Sequence, residues 1–213
     1  MKMTSEKKDS AKKEDARSPF FPDSPFNQYL ANAPESKCDL VDGQYFHHSP
    51  TSKKHVQLRQ FLMHIIDIFI TEKDMGTVLS ENFPLKLDKK NWRKPDIMVI
   101  PKSQLTLLHD TIFLGTPNFI IEILSEDSQL RDEVRKRAEY EKIGVKEYWI
   151  LDPDSRETST FLQMREAKYH PIKFKGNKLN VTSIPGLFLL SEWIWPSQTY
   201  PSTFTVFRTL GLI

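Results

Sequence analysis

Residues 117–125 read PNFIIEILS, a short apolar run that one acidic residue, Glu122, interrupts. The bounding proline and serine and the near-continuous apolar character predict a strand over residues 118–124, buried on both faces of a sheet. A carboxylate in such a strand is costly to bury unless another group pairs with it. The groups that face Glu122 should therefore indicate what the protein does.

The residues after this strand predict a helix and a second strand. Residues 128–143 are charged and are followed by Gly144, which is typical of a helix that ends there. Residues 147–152, EYWILD, predict the next strand. The order strand, helix, strand favours a parallel pair joined by a right-handed crossover.

The rest of the chain supplies further elements of the same sheet. Residues 54–72 carry apolar side chains at a helical spacing and predict an amphipathic helix. Further strands are expected at about 77–80, 83–88 and 96–101, and a hairpin at about 157–163 and 168–174. The predicted fold class is α/β, with a mixed central sheet flanked by helices and a C-terminal hairpin.

Composition limits the class of protein. The chain has 213 residues, 38% of them hydrophobic, which suits one domain with a sizeable core. A net charge of +2 indicates no particular partner, and the single cysteine, Cys38, fits a reducing compartment and excludes a cysteine-rich zinc site. Since no apolar segment reaches the ~20 residues of a membrane span, we expect a soluble, cytoplasmic protein with no membrane partner.

We expect four regions along the chain. Residues 1–18 mix charged residues with almost no large apolar side chain, which favours a disordered charged tail. Residues 19–37 contain prolines and phenylalanines and predict an irregular N-terminal arm. The folded domain is expected at 38–196 and a C-terminal extension at 197–213.

Two segments could bring charged groups to Glu122. Asp96 follows Pro95 and opens a predicted strand. The predicted helix after Glu122 carries three polar side chains at four-residue steps, hence on one face: Asp132, Lys136 and Tyr140. Lys136 could then reach back over the strand that carries Glu122.

Two carboxylates on neighbouring strands with a lysine above them suit the hydrolysis of a phosphodiester. Carboxylates hold Mg²⁺, which generates the nucleophile, and an ammonium stabilises the charge that grows on the phosphate. Structural interpretations remain open: Glu122 could pair with a buried basic residue, Asp96 could cap a turn, and Lys136 with Asp132 could be a surface pair.

The sequence resembles a known family over about residues 38–192, the Uma-two family of putative restriction endonucleases within the PD-(D/E)XK nuclease superfamily. The resemblance implies a restriction-endonuclease-like core. It rests on an ordered set of motifs: Pro95-Asp96, Glu122 with Ser125, Asp132-Lys136-Tyr140, and Gly144-Val145 before Glu147-Tyr148-Trp149.

The resemblance also implies a site and a function. The metal ligands would be Asp96, Glu122 and the backbone carbonyl of Ile123, and the catalytic residues Asp96, Glu122 and Lys136. The accessory residues would be Asp39, Asp132 and Tyr140. The expected cofactor is Mg²⁺, for which Mn²⁺ could substitute, and the expected partner is nucleic acid, with DNA as the substrate of an endonuclease.

Two departures from the family pattern support an alternative. Gln44 replaces an acidic residue, and Glu126 stands where the family often has proline. The alternative is a non-catalytic member that keeps the nuclease fold to bind nucleic acid or protein.

Further residues allow more than one interpretation. His55 matches a histidine of the family, but a histidine at a helix start is more often a surface or capping residue, which we favour. Trp149 is expected in the core. The aromatic segments 19–34 and 186–213 could supply the interface of a homodimer, or they could cover their own domain.

Overall fold

The structure is a computed structural model that describes residues 38–47, 51–125 and 132–213, without the side chains at positions 47, 132 and 133. The described residues all belong to one compact unit, Ser36–Ile213. The predicted tail at 1–18 and arm at 19–37 lie outside them, as does Glu126. Among the described residues, no helix has the length and apolar character needed to cross a membrane.

The described chain contains short strands and a few helices. The strands are β1 Cys38–Val41, β2 Gln44–His47, β3 Gly76–Ser80, β4 Leu85–Lys86, β5 Trp92–Arg93, β6 Ile97–Pro101, β7 Leu108–His109, β8 Ile112–Phe113, β9 Phe119–Ile123, β10 Glu147–Leu151, β11 Thr160–Arg165, β12 Lys168–Pro171, β13 Lys178–Asn180 and β14 Phe188–Leu190. The α-helices are α1 Lys53–Glu72, α2 Arg137–Ile143, α3 Ser191–Ile194 and α4 Thr203–Leu210. A 3₁₀ helix spans Lys102–Leu107, and a π-helix at Asp132–Lys136 leads into α2.

The central sheet has six strands in the order β12-β11-β10-β9-β6-β3. Strands β9 and β10 are parallel, and the other neighbours are antiparallel. All five residues of β9 and of β10 are buried, as the apolar run around Glu122 predicts for strands in a sheet interior. The mixed central sheet of the predicted α/β fold is therefore confirmed.

Side chains of β9 alternate between two separate parts of the core. Ile121 belongs to the face that α1 and the C-terminal segments cover, together with Trp149, whose predicted core position is confirmed. Ile120 belongs to the opposite face, with Tyr140 of α2. Because successive residues of a strand point to opposite faces, Glu122 shares the face of Ile120 and Tyr140.

The helix α1 matches its prediction closely. Ser52 caps it, since its hydroxyl accepts the N–H of His55 at 3.1 Å. The six apolar side chains that gave the helical spacing are buried: Leu58, Leu62, Ile65, Ile66, Phe69 and Ile70. The amphipathic spacing thus identified the face that packs on the sheet.

A second six-stranded sheet, in the order β2-β1-β5-β4-β8-β7, was not predicted. The expected strand at 83–88 shrinks to Leu85–Lys86 and belongs to this second sheet. Several of its strands have only two residues, too short to show an alternating pattern.

The C-terminal segments pack on their own domain. The predicted hairpin is formed by β11 and β12, and a second hairpin, β13 with β14, follows it. Tyr200 stacks on Phe61 of α1, with ring centroids 4.7 Å apart. Phe204 and Ile213 stay largely exposed. Most of the apolar surface at 186–213 is therefore used within the domain, while residues 19–34 lie outside the described chain.

Candidate active site

Strand register brings the two predicted metal carboxylates side by side. The β6–β9 ladder pairs Ile97 with Ile121, so the next pair outward along these antiparallel strands is Asp96 with Glu122. Both residues are only 1% exposed. The Ile123 N–H donates to Oδ2 of Asp96 at 2.8 Å and ties this carboxylate to β9.

Glu122 faces a lysine and a tyrosine. The Lys136 Nζ lies 2.8 Å from Oε2 of Glu122, and the Tyr140 hydroxyl donates to Oε1 at 2.8 Å. Lys136 ends the π-helix and is 1% exposed, so the interpretation of Lys136 as a surface partner of Asp132 is wrong. The side chain of Asp132 itself lies outside the described residues.

Tyr140 acts as a permanent hydrogen-bond donor. Burial, and after it the charge of Glu122, raises the pKa of the Tyr140 phenol well above its ordinary value. The phenol therefore stays protonated and keeps its hydrogen directed at Glu122. This contact orients the carboxylate without supplying a charge.

A buried arginine holds the helix of Lys136 and Tyr140 against the second sheet. The Arg93 guanidinium, 0% exposed, donates to both carboxylate oxygens of Glu139 at 2.7 and 2.8 Å. Its Nη1 donates to Oδ2 of Asp39 at 3.1 Å. Burial alone would lower the pKa of Arg93, but Asp39 and Glu139 outweigh it, and the net shift is upward.

Asp39, the predicted accessory residue of β1, therefore lies in an ion pair. Its other oxygen, Oδ1, accepts the backbone N–H of Lys94 at 3.0 Å. Sequence reasoning missed Arg93, because nothing in a two-residue strand indicates that a basic side chain points inward. Asp39 is thus linked to the site indirectly, because Arg93 also pairs with Glu139 of α2, the helix that carries Tyr140.

His55 belongs to the site, and its favoured interpretation as a surface or capping residue is wrong. Its side chain is buried, with Nε2 3.3 Å from Oδ1 of Asp96. Within the described chain neither ring nitrogen meets hydrogen-bond geometry. A signal was available in the sequence, since His55 lies three and seven residues before Leu58 and Leu62, on the buried face of α1.

The oxygen donors at the two strand ends suit Mg²⁺. The N–H and C=O of a strand residue point to the same side, so the Ile123 carbonyl faces the side of Asp96. Among the described residues, no cluster of three or more His, Cys, Asp or Glu side chains could hold a metal. Two carboxylates and one carbonyl match Mg²⁺, which keeps several waters, and do not match a zinc site.

Fold and site together define a restriction-endonuclease-like α/β protein. The chain belongs to the Uma2 family, described as "putative restriction endonuclease", whose profile matches residues 24–191. No curated protein matches the chain at a significant level. Membership of the family supports a nuclease function.

A solved structure shares the fold. The chain is similar to the crystal structure of a putative nuclease belonging to DUF820 from Anabaena variabilis ATCC 29413, with 18% identity and a TM-score of 0.67. The match covers 81% of this chain and 97% of the other. At this identity the likeness concerns the fold, and it agrees with the predicted α/β class.

Proposed function

We propose that this protein is a Mg²⁺-dependent endonuclease that hydrolyses phosphodiester bonds of nucleic acid, with DNA as its substrate. The observation that carries the proposal is the meeting of three buried groups. Asp96 and Glu122 lie opposite each other at the end of adjacent strands, and the Lys136 ammonium is 2.8 Å from Glu122.

Each group has a role in the proposed reaction. Asp96, Glu122 and the Ile123 carbonyl would hold Mg²⁺, for which Mn²⁺ could substitute. When bound, the metal supplies a hydroxide nucleophile and neutralises charge on the phosphate. Lys136 offers an ammonium to the same charge, and Tyr140 fixes the orientation of Glu122.

One observation favours a second candidate, a non-catalytic member that binds nucleic acid or protein. Glu122 already has an ammonium and a phenol as partners, and all three side chains are almost fully buried. A closed, well-paired ionic group of this kind also occurs where its only role is structural. The two candidates differ in whether a metal ion can enter between Asp96 and Glu122.

The decisive experiment is cleavage of plasmid DNA and labelled oligonucleotides with Mg²⁺ or Mn²⁺. Wild type should cut, and EDTA or Glu122→Gln should abolish cutting. Glu72→Gln is a matched control, because Glu72 is an exposed glutamate at the far end of α1. Binding without cleavage by wild type, on DNA and RNA alike, would favour the non-catalytic candidate.

We also propose a cytoplasmic homodimer. Two sites related by a two-fold axis suit the cleavage of two strands, and the exposed Phe204 and Ile213 leave apolar surface on and beyond α4. Cys38 is the single cysteine of the chain and cannot form an intrachain disulfide, which fits a reducing compartment. A monomer mass in light scattering at micromolar concentration would count against the dimer.

A further inference from the structure

The row of paired residues that contains Glu122 continues across the central sheet. The parallel ladder places Ile150 of β10 beside Glu122, and the next ladder places Thr160 of β11 beside Ile150. Ile150 is buried and Thr160 is half-buried. No acidic side chain therefore interrupts this row between Glu122 and β12.

The row ends at an exposed lysine. The Ile172 N–H donates to the carbonyl of Phe161 at 2.9 Å, which continues the β11–β12 pairing past Pro171. Lys173 follows β12, and the same register extended by one more residue sets it opposite Thr160. Directly paired side chains share a face of the sheet, so Lys173 extends from the face that carries Glu122. Three strand spacings of about 4.8 Å put the two backbones about 14 Å apart.

Lys175 lies two residues after Lys173 and begins a tight turn, in which its N–H donates to the carbonyl of Lys178 at 2.8 Å. We call Lys173 and Lys175 the basic edge. Arg156, in the loop between β10 and β11, lies over the ring of Phe174 with its guanidinium carbon 4.4 Å from the centroid. Because Phe174 packs with the core on the opposite face of the sheet from Glu122, Arg156 is not part of the basic edge.

The positive charge of the basic edge is available to a binding partner. In the described part of the chain, neither of its two side chains forms an ion pair, and both are exposed. The nearby loop also contains acidic residues, but Asp154 pairs with Lys54, and Asp152 accepts the N–H of Asp154 and the hydroxyl of Thr158. Exposed Glu157 is the remaining carboxylate of that loop.

We propose that the basic edge binds the phosphate backbone of the nucleic acid that enters the site. This inference rests on the proposed function, since it assumes that the strand to be cut passes Glu122. The spacing of about 14 Å equals about four nucleotides at a rise of 3.4 Å per nucleotide, so one strand can contact both places. Such contacts set affinity and the direction of the strand, and carry no base preference.

Salt dependence of binding tests the proposal. A fluorescein-labelled duplex and a labelled single strand are titrated with protein in EDTA, which prevents cleavage, at several salt concentrations. Lys173→Gln should reduce the slope of log K against log salt by about 0.9 on the duplex and about 0.7 on the single strand. The double variant Lys173→Gln/Lys175→Gln should lose about twice as much, and Lys173→Arg should keep the slope.

Lys146→Gln is the matched control. Lys146 is also exposed, but it immediately precedes β10 and so lies at the opposite end of the central sheet. The charge change is the same, so a non-specific effect of net charge should appear equally in both variants. Equal slopes for Lys146→Gln and Lys173→Gln, at equal melting temperatures, would overturn the proposal.

The binding assay and the cleavage assay can fail separately. If Lys173→Gln lowers the salt slope relative to wild type, but wild type cuts neither DNA nor RNA with Mn²⁺, the basic edge stands and the endonuclease function fails. If wild type cuts and the Lys173→Gln slope equals that of wild type, the function stands and the basic edge fails. A protein that neither binds nor cuts would overturn both.

Discussion

His55 Nε2 lies 3.3 Å from one oxygen of Asp96, while the Ile123 N–H donates to the other oxygen at 2.8 Å. The His55 ring of α1 approaches closely without hydrogen-bond geometry, and the N–H of β9 forms a hydrogen bond, so groups on two sides confine the Asp96 carboxylate. If Asp96 binds a metal, as we propose, removing a group that confines its carboxylate should lower metal affinity, typically by 10- to 100-fold.

We therefore expect His55→Ala to weaken Mn²⁺ binding at least about tenfold, and His55→Gln, which keeps a polar side chain at the position, to weaken it less. Isothermal titration calorimetry measures both. His64→Ala is the control, because His64 is an exposed histidine of the same helix. Unchanged affinity in His55→Ala would remove His55 from the site.

Substitutions of Glu122 and Lys136 should change the free energy of unfolding in a strongly non-additive way, because the two side chains form a buried ion pair. Glu122→Gln leaves a buried ammonium opposite a neutral amide, which should cost about 3–5 kcal/mol besides abolishing Mn²⁺ binding. The double variant Glu122→Gln/Lys136→Met removes both charges and should be more stable than the single variant. Urea unfolding of wild type, of the single variants Glu122→Gln and Lys136→Met, and of the double variant gives the coupling energy. If the losses of unfolding free energy in the two single variants add up to the loss in the double variant, Glu122 and Lys136 are not energetically coupled.

The variant Lys136→Met tests whether Lys136 acts in the chemical step rather than in metal binding. If the ammonium stabilises charge that grows only in the transition state, kcat should fall strongly while Mn²⁺ affinity changes little. A thermal melt must accompany the plasmid assay, since Lys136 is buried and its loss removes the ammonium that pairs with Glu122. Equal cleavage by wild type and variant would exclude Lys136 from the mechanism.

Substituting Asp39 tests whether this residue contributes to the metal site or serves only as the ion-pair partner of Arg93. As a partner of buried Arg93, Asp39→Asn should lower stability by about 3 kcal/mol and leave Mn²⁺ affinity unchanged. Arg93→Met should cost at least as much, because both Asp39 and Glu139 lose their shared partner. A fall in Mn²⁺ affinity for Asp39→Asn, with the fold intact, would place Asp39 among the accessory residues of the metal site.

The sequence predicts those parts of the site that depend on local pattern. The apolar run around Glu122 is long enough to indicate a buried strand, and the four-residue spacing of Lys136 and Tyr140 predicts their shared face. Arg93 could not be found this way, because its burial depends on Asp39 and Glu139, which are distant in sequence. Strand order and register decide such contacts, and a single sequence shows neither.

Glu147 is a second buried carboxyl, on the opposite face of the central sheet from Glu122. It is 0% exposed, and its Oε1 accepts the indole N–H of Trp149 at 3.0 Å. Oε2 accepts the Thr182 hydroxyl at 2.9 Å and the Ser183 N–H at 2.8 Å. Burial raises the pKa of this carboxyl above its ordinary value, and the three donors only partly oppose the rise.

Glu147 should therefore make stability decline as pH rises. A carboxyl whose pKa is higher in the folded than in the unfolded chain contributes its full stability below the ordinary value of 4.5 and loses it as pH rises through the folded pKa. Glu147→Gln cannot ionise and offers one acceptor oxygen in place of two, so it should cost about 1–3 kcal/mol at low pH. The advantage of wild type over the variant in urea unfolding should then shrink as pH rises above 4.5. A stability difference that stays constant, or grows, with pH would show that the fold does not favour the protonated carboxyl.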